Sequence, residues 1–77
     1  MKKLTNVTRK EFEKFLAAKG YTLERTTGGH AIWTCPDSRS VVLQTHVNPI
    51  PVIVIKSNLL SMGVTSKEFL DFLEQCT

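Results

Sequence analysis

His30 directly follows the pair Gly28-Gly29. Imidazole titrates near neutral pH without special tuning, which makes it the default general acid or base. Two glycines ahead of it let the backbone turn tightly and come close to a ligand. RNA carries its own nucleophile, the 2′-hydroxyl. An imidazole beside that hydroxyl, with a group that stabilises the pentavalent phosphate, suffices for strand scission and requires no metal. The same local features also suit a histidine that merely begins an edge strand. At this point both readings stand.

The surrounding side chains offer partial support for phosphate chemistry. Arg25 lies shortly before the Gly-Gly turn, and a guanidinium there can pair bidentately with a phosphate. Lys10 shares the polar side of the first helical segment with Arg9 and Lys14, and Arg39 sits in a later turn. Lysines along a helix more often form a solvated face. His46 precedes a Pro-rich segment and reads as a strand-end residue near the substrate. The two histidines and two cysteines match no metal-ligand spacing, so no metal and no cofactor are expected. Cys35 and Cys76 form no C-x-x-C pair and read as reduced thiols, with a single bridge left open. Phosphate-binding Gly loops, nucleophile elbows, paired helical carboxylates and EF-hand loops are all missing.

The elements that must hold His30 can be read in turn. Thr8-Arg9-Lys10-Glu11 is a capping box, and Phe12, Phe15 and Leu16 fall on one helical face. With Gly20 as the stop, this predicts a helix from Thr8 to Lys19. Tyr21 to Thr26 alternates apolar and polar residues, as a half-buried strand does. Thr27-Gly28-Gly29 is a turn that leads the chain into a second strand, His30 to Cys35. Pro36 to Arg39 is a second turn, and Ser40 to Thr45 a third strand. Alternation in the second strand puts Ala31, Trp33 and Cys35 on one face and His30, Ile32 and Thr34 on the other. The bulkier set should meet the helices, leaving His30 on the open face.

Val52 to Met62 has mixed signals. Val52-Ile53-Val54-Ile55 has strand propensity, whereas Pro51 suits a helix start, Gly63 a helix stop, and Ile55, Leu59 and Met62 keep helical spacing. A helix is the better reading. Thr65 to Glu68 is a second capping box, opening a helix to Gln75 with Phe69, Leu70, Phe72 and Leu73 inward. The predicted fold is α+β, in the order α-β-β-β-α-α. A three-stranded antiparallel sheet is packed by helices on one face.

Seventy-seven residues make one domain, 1-77, near the lower limit for a fold held by its core alone. The formal net charge of +3 and pI near 9.1 suit an anionic partner, either RNA or an acidic protein. No apolar run approaches the roughly 20 residues that span a bilayer. Lys2 and Lys3 lead into no apolar stretch of the kind a secretory signal needs. A cytoplasmic protein without a membrane segment is expected.

Several of these features occur in a shared order. They are Lys19-Gly20-Tyr21, Leu23-x-Arg25, Gly28-Gly29-His30 with Ile32-Trp33, Pro36-Asp37-x-Arg39, Val41 to His46, and Gly63-Val64-Thr65 with Glu68-Phe69-Leu70. In this order the chain resembles the HicA (YcfA-like) toxin family from about Thr8 to Leu73. The resemblance implies a fold like that of double-stranded-RNA-binding domains. It implies a toxin of a type II toxin–antitoxin pair, a ribosome-independent endoribonuclease that cleaves mRNA. On that resemblance His30 is the catalytic residue. Arg25, Gly28, Gly29, Lys10 and Arg39 are the expected substrate-binding set. A HicB-like antitoxin is the expected protein partner, and the free toxin is expected to be a monomer. Gly29 stands where the family usually has Ser, and residues 48–53 are more apolar and less basic than in the family. Two other functions remain open: a non-catalytic RNA-binding module, or an inactive antitoxin-binding domain of the same fold.

Overall fold

The computed structural model describes residues 3–75. Its elements are α1 (Arg9–Ala18), β1 (Thr22–Thr27), β2 (His30–Cys35), β3 (Ser38–Gln44), α2 (Val52–Met62) and α3 (Ser66–Gln75). The strands form one antiparallel sheet in the order β1-β2-β3. The fold is therefore a small α+β arrangement in the predicted order.

Local chemistry sets most of the boundaries. Thr8 caps α1 through the full capping box, accepting from the Glu11 amide while Glu11 accepts from the Thr8 amide. The chain then leaves α1 through Gly20, whose φ is +88°. The Pro51 ring starts α2, and Gly63, in the left-handed region at φ +76°, ends it. The helical spacing of Ile55, Leu59 and Met62 thus overrides the β propensity of the Val-Ile-Val-Ile run. Its reason is burial, since these three side chains are the ones α2 puts into the core. At α3 only half of the expected box forms. Thr65 Oγ1 accepts from the Glu68 amide at 3.1 Å, while the Glu68 carboxylate instead pairs with Lys19.

One core holds the molecule together. Phe12, Phe15 and Leu16 of α1 meet Ile55 and Leu59 of α2 and Phe69 and Leu73 of α3, with Val41 and Leu43 from the sheet beneath them. Phe69 sits edge-on to both Phe12 and Phe15, at ring-centre distances of 5.3 and 4.9 Å. Such pairs add about 0.5–1.5 kcal/mol beyond their area. Trp33 and Cys35 pack against this cluster from β2, and Ala31 is buried. The helices therefore cover the Ala31–Trp33–Cys35 face, as the alternation predicts.

Two strand expectations are corrected. β3 begins at Ser38, so the preceding turn is only Pro36-Asp37, and Arg39 lies within the strand. β1 is not half-buried: every one of its residues is exposed, and Leu23 keeps 50% of its surface. β1 is an outer strand, and α2 lies along β3 at the opposite edge. Inward-pointing residues of β1 therefore find little helix to pack against. The aromatic anchor of this edge is Tyr21, just ahead of the strand, buried with its hydroxyl donating to the Arg39 carbonyl at 3.1 Å.

Cys35 is a free thiol. Cys76 and Lys2 lie outside the described residues. Among the described residues no helix is long and apolar enough to cross a membrane.

Candidate functional site

The site starts at the β1–β2 turn. Thr27 pairs with His30 across a connection of only Gly28 and Gly29, whose φ angles are +56° and +83°. Positive φ at both central residues is the requirement of the tight hairpin turn that matches strand twist. Gly29 is held from a second side. Its carbonyl accepts from the Thr45 amide at 2.8 Å and from Thr45 Oγ1 at 3.1 Å. The Thr45 carbonyl in turn accepts from Arg9 Nη1 at 3.0 Å, and the Arg9 amide donates to Asn48 Oδ1 at 3.0 Å. His30 thus leaves a turn that is tied to the end of β3 and, through it, to the start of α1.

The ladder then arranges His30 and its neighbours. His30 pairs with Gln44 of β3 and Ile32 with Val42. On the other side His30 faces Thr27 and Ile32 faces Arg25. Directly opposed residues share a face. Thr27, His30 and Gln44 therefore form one rung of the open face, and Arg25, Ile32 and Val42 the next. Arg25 reaches this face through the regular pairing that runs back from the turn; the register shifts only beyond it, between Leu23 and Arg25, making Glu24 the extra residue of a bulge. Its guanidinium pairs with the Glu24 carboxylate, but both side chains are about half exposed. A pair this solvated restrains Arg25 little.

His30 is exposed, and it lines a cleft of about 220 Å³. Gln44 lies beside it, Val42 and Val47 form apolar wall, and Pro51 and Val54 bring in the first turn of α2. Among the described residues no charged side chain lines the cleft. Pro51 makes no side-chain cap, and no acidic residue lies in the first turn of α2. The α2 amide groups of that turn are consequently unpaired within the helix and carry the positive end of its dipole.

The structure gathers only part of the residue set drawn from the sequence. His30, Gly28, Gly29 and Arg25 share one end and one face of the sheet. Lys10 is exposed on α1 in the helix layer and does not line the cleft. Arg39 is not brought to His30. It lies five positions before Gln44 on β3, about 16 Å along the strand. Arg9, grouped with the solvated cations by sequence, spends its guanidinium on Thr45 and on Glu13 at 3.7 Å. His46 lies against the turn itself: a Cβ built on Gly29 would meet its Nδ1 at 3.4 Å. Gln44, Val54 and Thr45 were not singled out by sequence. The third-strand alternation already put Gln44 on the face of Val42, but pairing it with His30 needs the register.

The fold and site together define a class: a small α+β domain that presents an exposed histidine at a hairpin turn, on the rim of an uncharged cleft. Comparison with known proteins adds no family to this description, since no family model matches the chain and no curated protein matches it.

Proposed function

We propose that this protein is a HicA-like toxin, a metal-independent endoribonuclease that cleaves mRNA with His30. The observation that carries the proposal is the placement of His30: solvent-exposed, fixed by a braced two-glycine turn, and open to a cleft. His30 takes the proton of a ribose 2′-hydroxyl. The 2′-oxygen attacks the adjacent phosphorus, and the 5′-oxygen leaves and takes up a proton from water. The products are a 2′,3′-cyclic phosphate and a 5′-hydroxyl end.

Anionic oxygens on the phosphate have two sources of positive potential nearby. Arg25 shares the open face with His30, and the uncapped start of α2 borders the cleft. The net charge of +3 favours the encounter with RNA. The order α-β-β-β-α-α is compatible with a relationship to double-stranded-RNA-binding domains. The protein works in the cytoplasm, is a monomer when free, and is silenced by a HicB-like antitoxin.

A second reading, an inactive antitoxin-binding domain, is favoured by one observation. Ile53 and Leu60 of α2, seven positions apart on one side of the helix, are each about four-fifths exposed, and a partner that covered them would remove that apolar surface from water. Incubating purified protein with total RNA separates the readings. Wild type should degrade RNA, and His30→Ala should lose the activity by a factor of about 10²–10⁴. RNA left intact by wild-type protein that still binds an antitoxin would favour the second reading.

A further inference from the structure

We infer that the cleft beside His30 receives one unpaired nucleobase of the RNA, with Gln44 reading its edge; this rests on the ribonuclease reading above and names the form of substrate that site takes. Three features point to a base. The first is size: about 220 Å³ falls below the usual 300–1,000 Å³ of a pocket for a whole drug-sized ligand. It suits one flat ring system rather than a length of chain. The second is the lining. Val42, Val47, Pro51 and Val54 present apolar surface on which a ring can lie, without a charge that would have to be desolvated. The third is the polar edge. Gln44 stands opposite His30 in the ladder, is exposed, and its amide has no hydrogen-bond partner among the described residues. A primary amide offers a donor and an acceptor side by side, the pattern that reads a base edge bidentately.

The consequence concerns substrate form. A base stacked inside a duplex cannot enter a cleft, so the nucleotide at the cut must be unpaired or flipped out. The fold resemblance alone suggests duplex RNA; the cleft points to single strands at the point of scission. Because Gln44 and His30 are cross-strand neighbours, the base read by Gln44 belongs to the nucleotide at the cleaved step.

The test uses short oligoribonucleotides that differ only in the base at that step, and 2′-deoxy versions that cannot be cut. Wild type should prefer one base, and Gln44→Leu should compress that preference about tenfold or more. Val54→Trp, which fills the cleft from a partly exposed position, should slow cutting of every single-stranded substrate. Thermal melts of both variants should match wild type. In methyl NMR spectra the 2′-deoxy oligonucleotide should shift Val42 and Val54, and annealing it to a complement should abolish the shift. An unchanged base preference in Gln44→Leu overturns the proposal, as does a lack of methyl response to any base. If the same methyls respond only to an apolar side chain of a protein partner, the cleft is a protein site and the proposal also falls. If wild type cuts nothing yet the methyl shifts depend on the base and vanish in Gln44→Leu, the base site stands and the ribonuclease reading is the part that fails.

Discussion

Thr45 donates twice to one acceptor: its amide and its hydroxyl both reach the Gly29 carbonyl, at 2.8 and 3.1 Å. That carbonyl belongs to the residue immediately before His30, so the contact fixes where the β2 strand begins. Thr45→Val removes the hydroxyl bond and keeps the shape. It should cost about 1 kcal/mol in urea unfolding and lower the cleavage rate, while Thr45→Ser keeps both near wild type. Equal cleavage by Thr45→Val would show that the amide bond alone is enough to hold the turn.

The two turn glycines should respond differently to side chains. Gly28, at φ +56°, faces open space, whereas Gly29, at φ +83°, faces His46. Asn tolerates the left-handed region better than most residues. Gly28→Asn should therefore stay within about 0.5 kcal/mol of wild type. Gly29→Ala should lose about 1–2 kcal/mol from backbone strain, plus whatever the displaced imidazole adds. Denaturant midpoints of the two variants measure the difference directly.

His30→Ala should separate stability from activity. The side chain is exposed and lines a cleft rather than the core, so its loss should move the unfolding free energy by no more than about 0.5 kcal/mol. Activity on RNA should meanwhile fall as proposed above. A large loss of stability in this variant would assign His30 a structural role.

A pair on α2 tests how the helix is oriented. Leu59 is buried among the phenylalanines, while its neighbour Leu60 is 82% exposed. Leu59→Ala should cost about 2–5 kcal/mol, enough to unfold much of a domain of this size. Leu60→Ala should change little in the isolated protein. Should Leu60→Ala instead weaken binding to an antitoxin, the apolar face of α2 is part of that interface.

Loss of the first cap should be visible in a smaller way. Thr8→Ala removes the hydroxyl half of the Thr8–Glu11 box, in which Thr8 Oγ1 accepts from the Glu11 amide, and leaves the main-chain amide of residue 8 to donate to Glu11; it should lower stability by about 1 kcal/mol, read by thermal or urea unfolding.

Which parts of this molecule could be read in advance follows from the range of the forces involved. The box at Thr8–Glu11, the stop at Gly63 and the face of His30 depend on residues a few positions apart. Each is therefore visible in the sequence as a spacing. The exposure of Leu23 depends on how far the helix layer extends, and no pattern inside β1 encodes that. The cleft is harder still. It brings Gln44 of β3 together with Pro51 and Val54 of α2, which requires both the strand register and the docking of a helix whose own propensity was divided. Arg39 was placed in a turn because Pro36 and Asp37 are strong turn residues, but the turn ends after those two. Arg9 looked like one of several loose cations, and only the fold puts a carbonyl within its reach.

The extra residue in β1 has a consequence for chain length. The pairings Leu23–Trp33 and Arg25–Ile32 already stand on adjacent positions of β2. Removing Glu24 would close the ladder without exchanging a single partner or turning any side chain to the other face. The outer strand can therefore lose a residue there by deletion while the surface around His30 stays as it is, and homologous chains that differ by one position before the glycine pair can still build the same site.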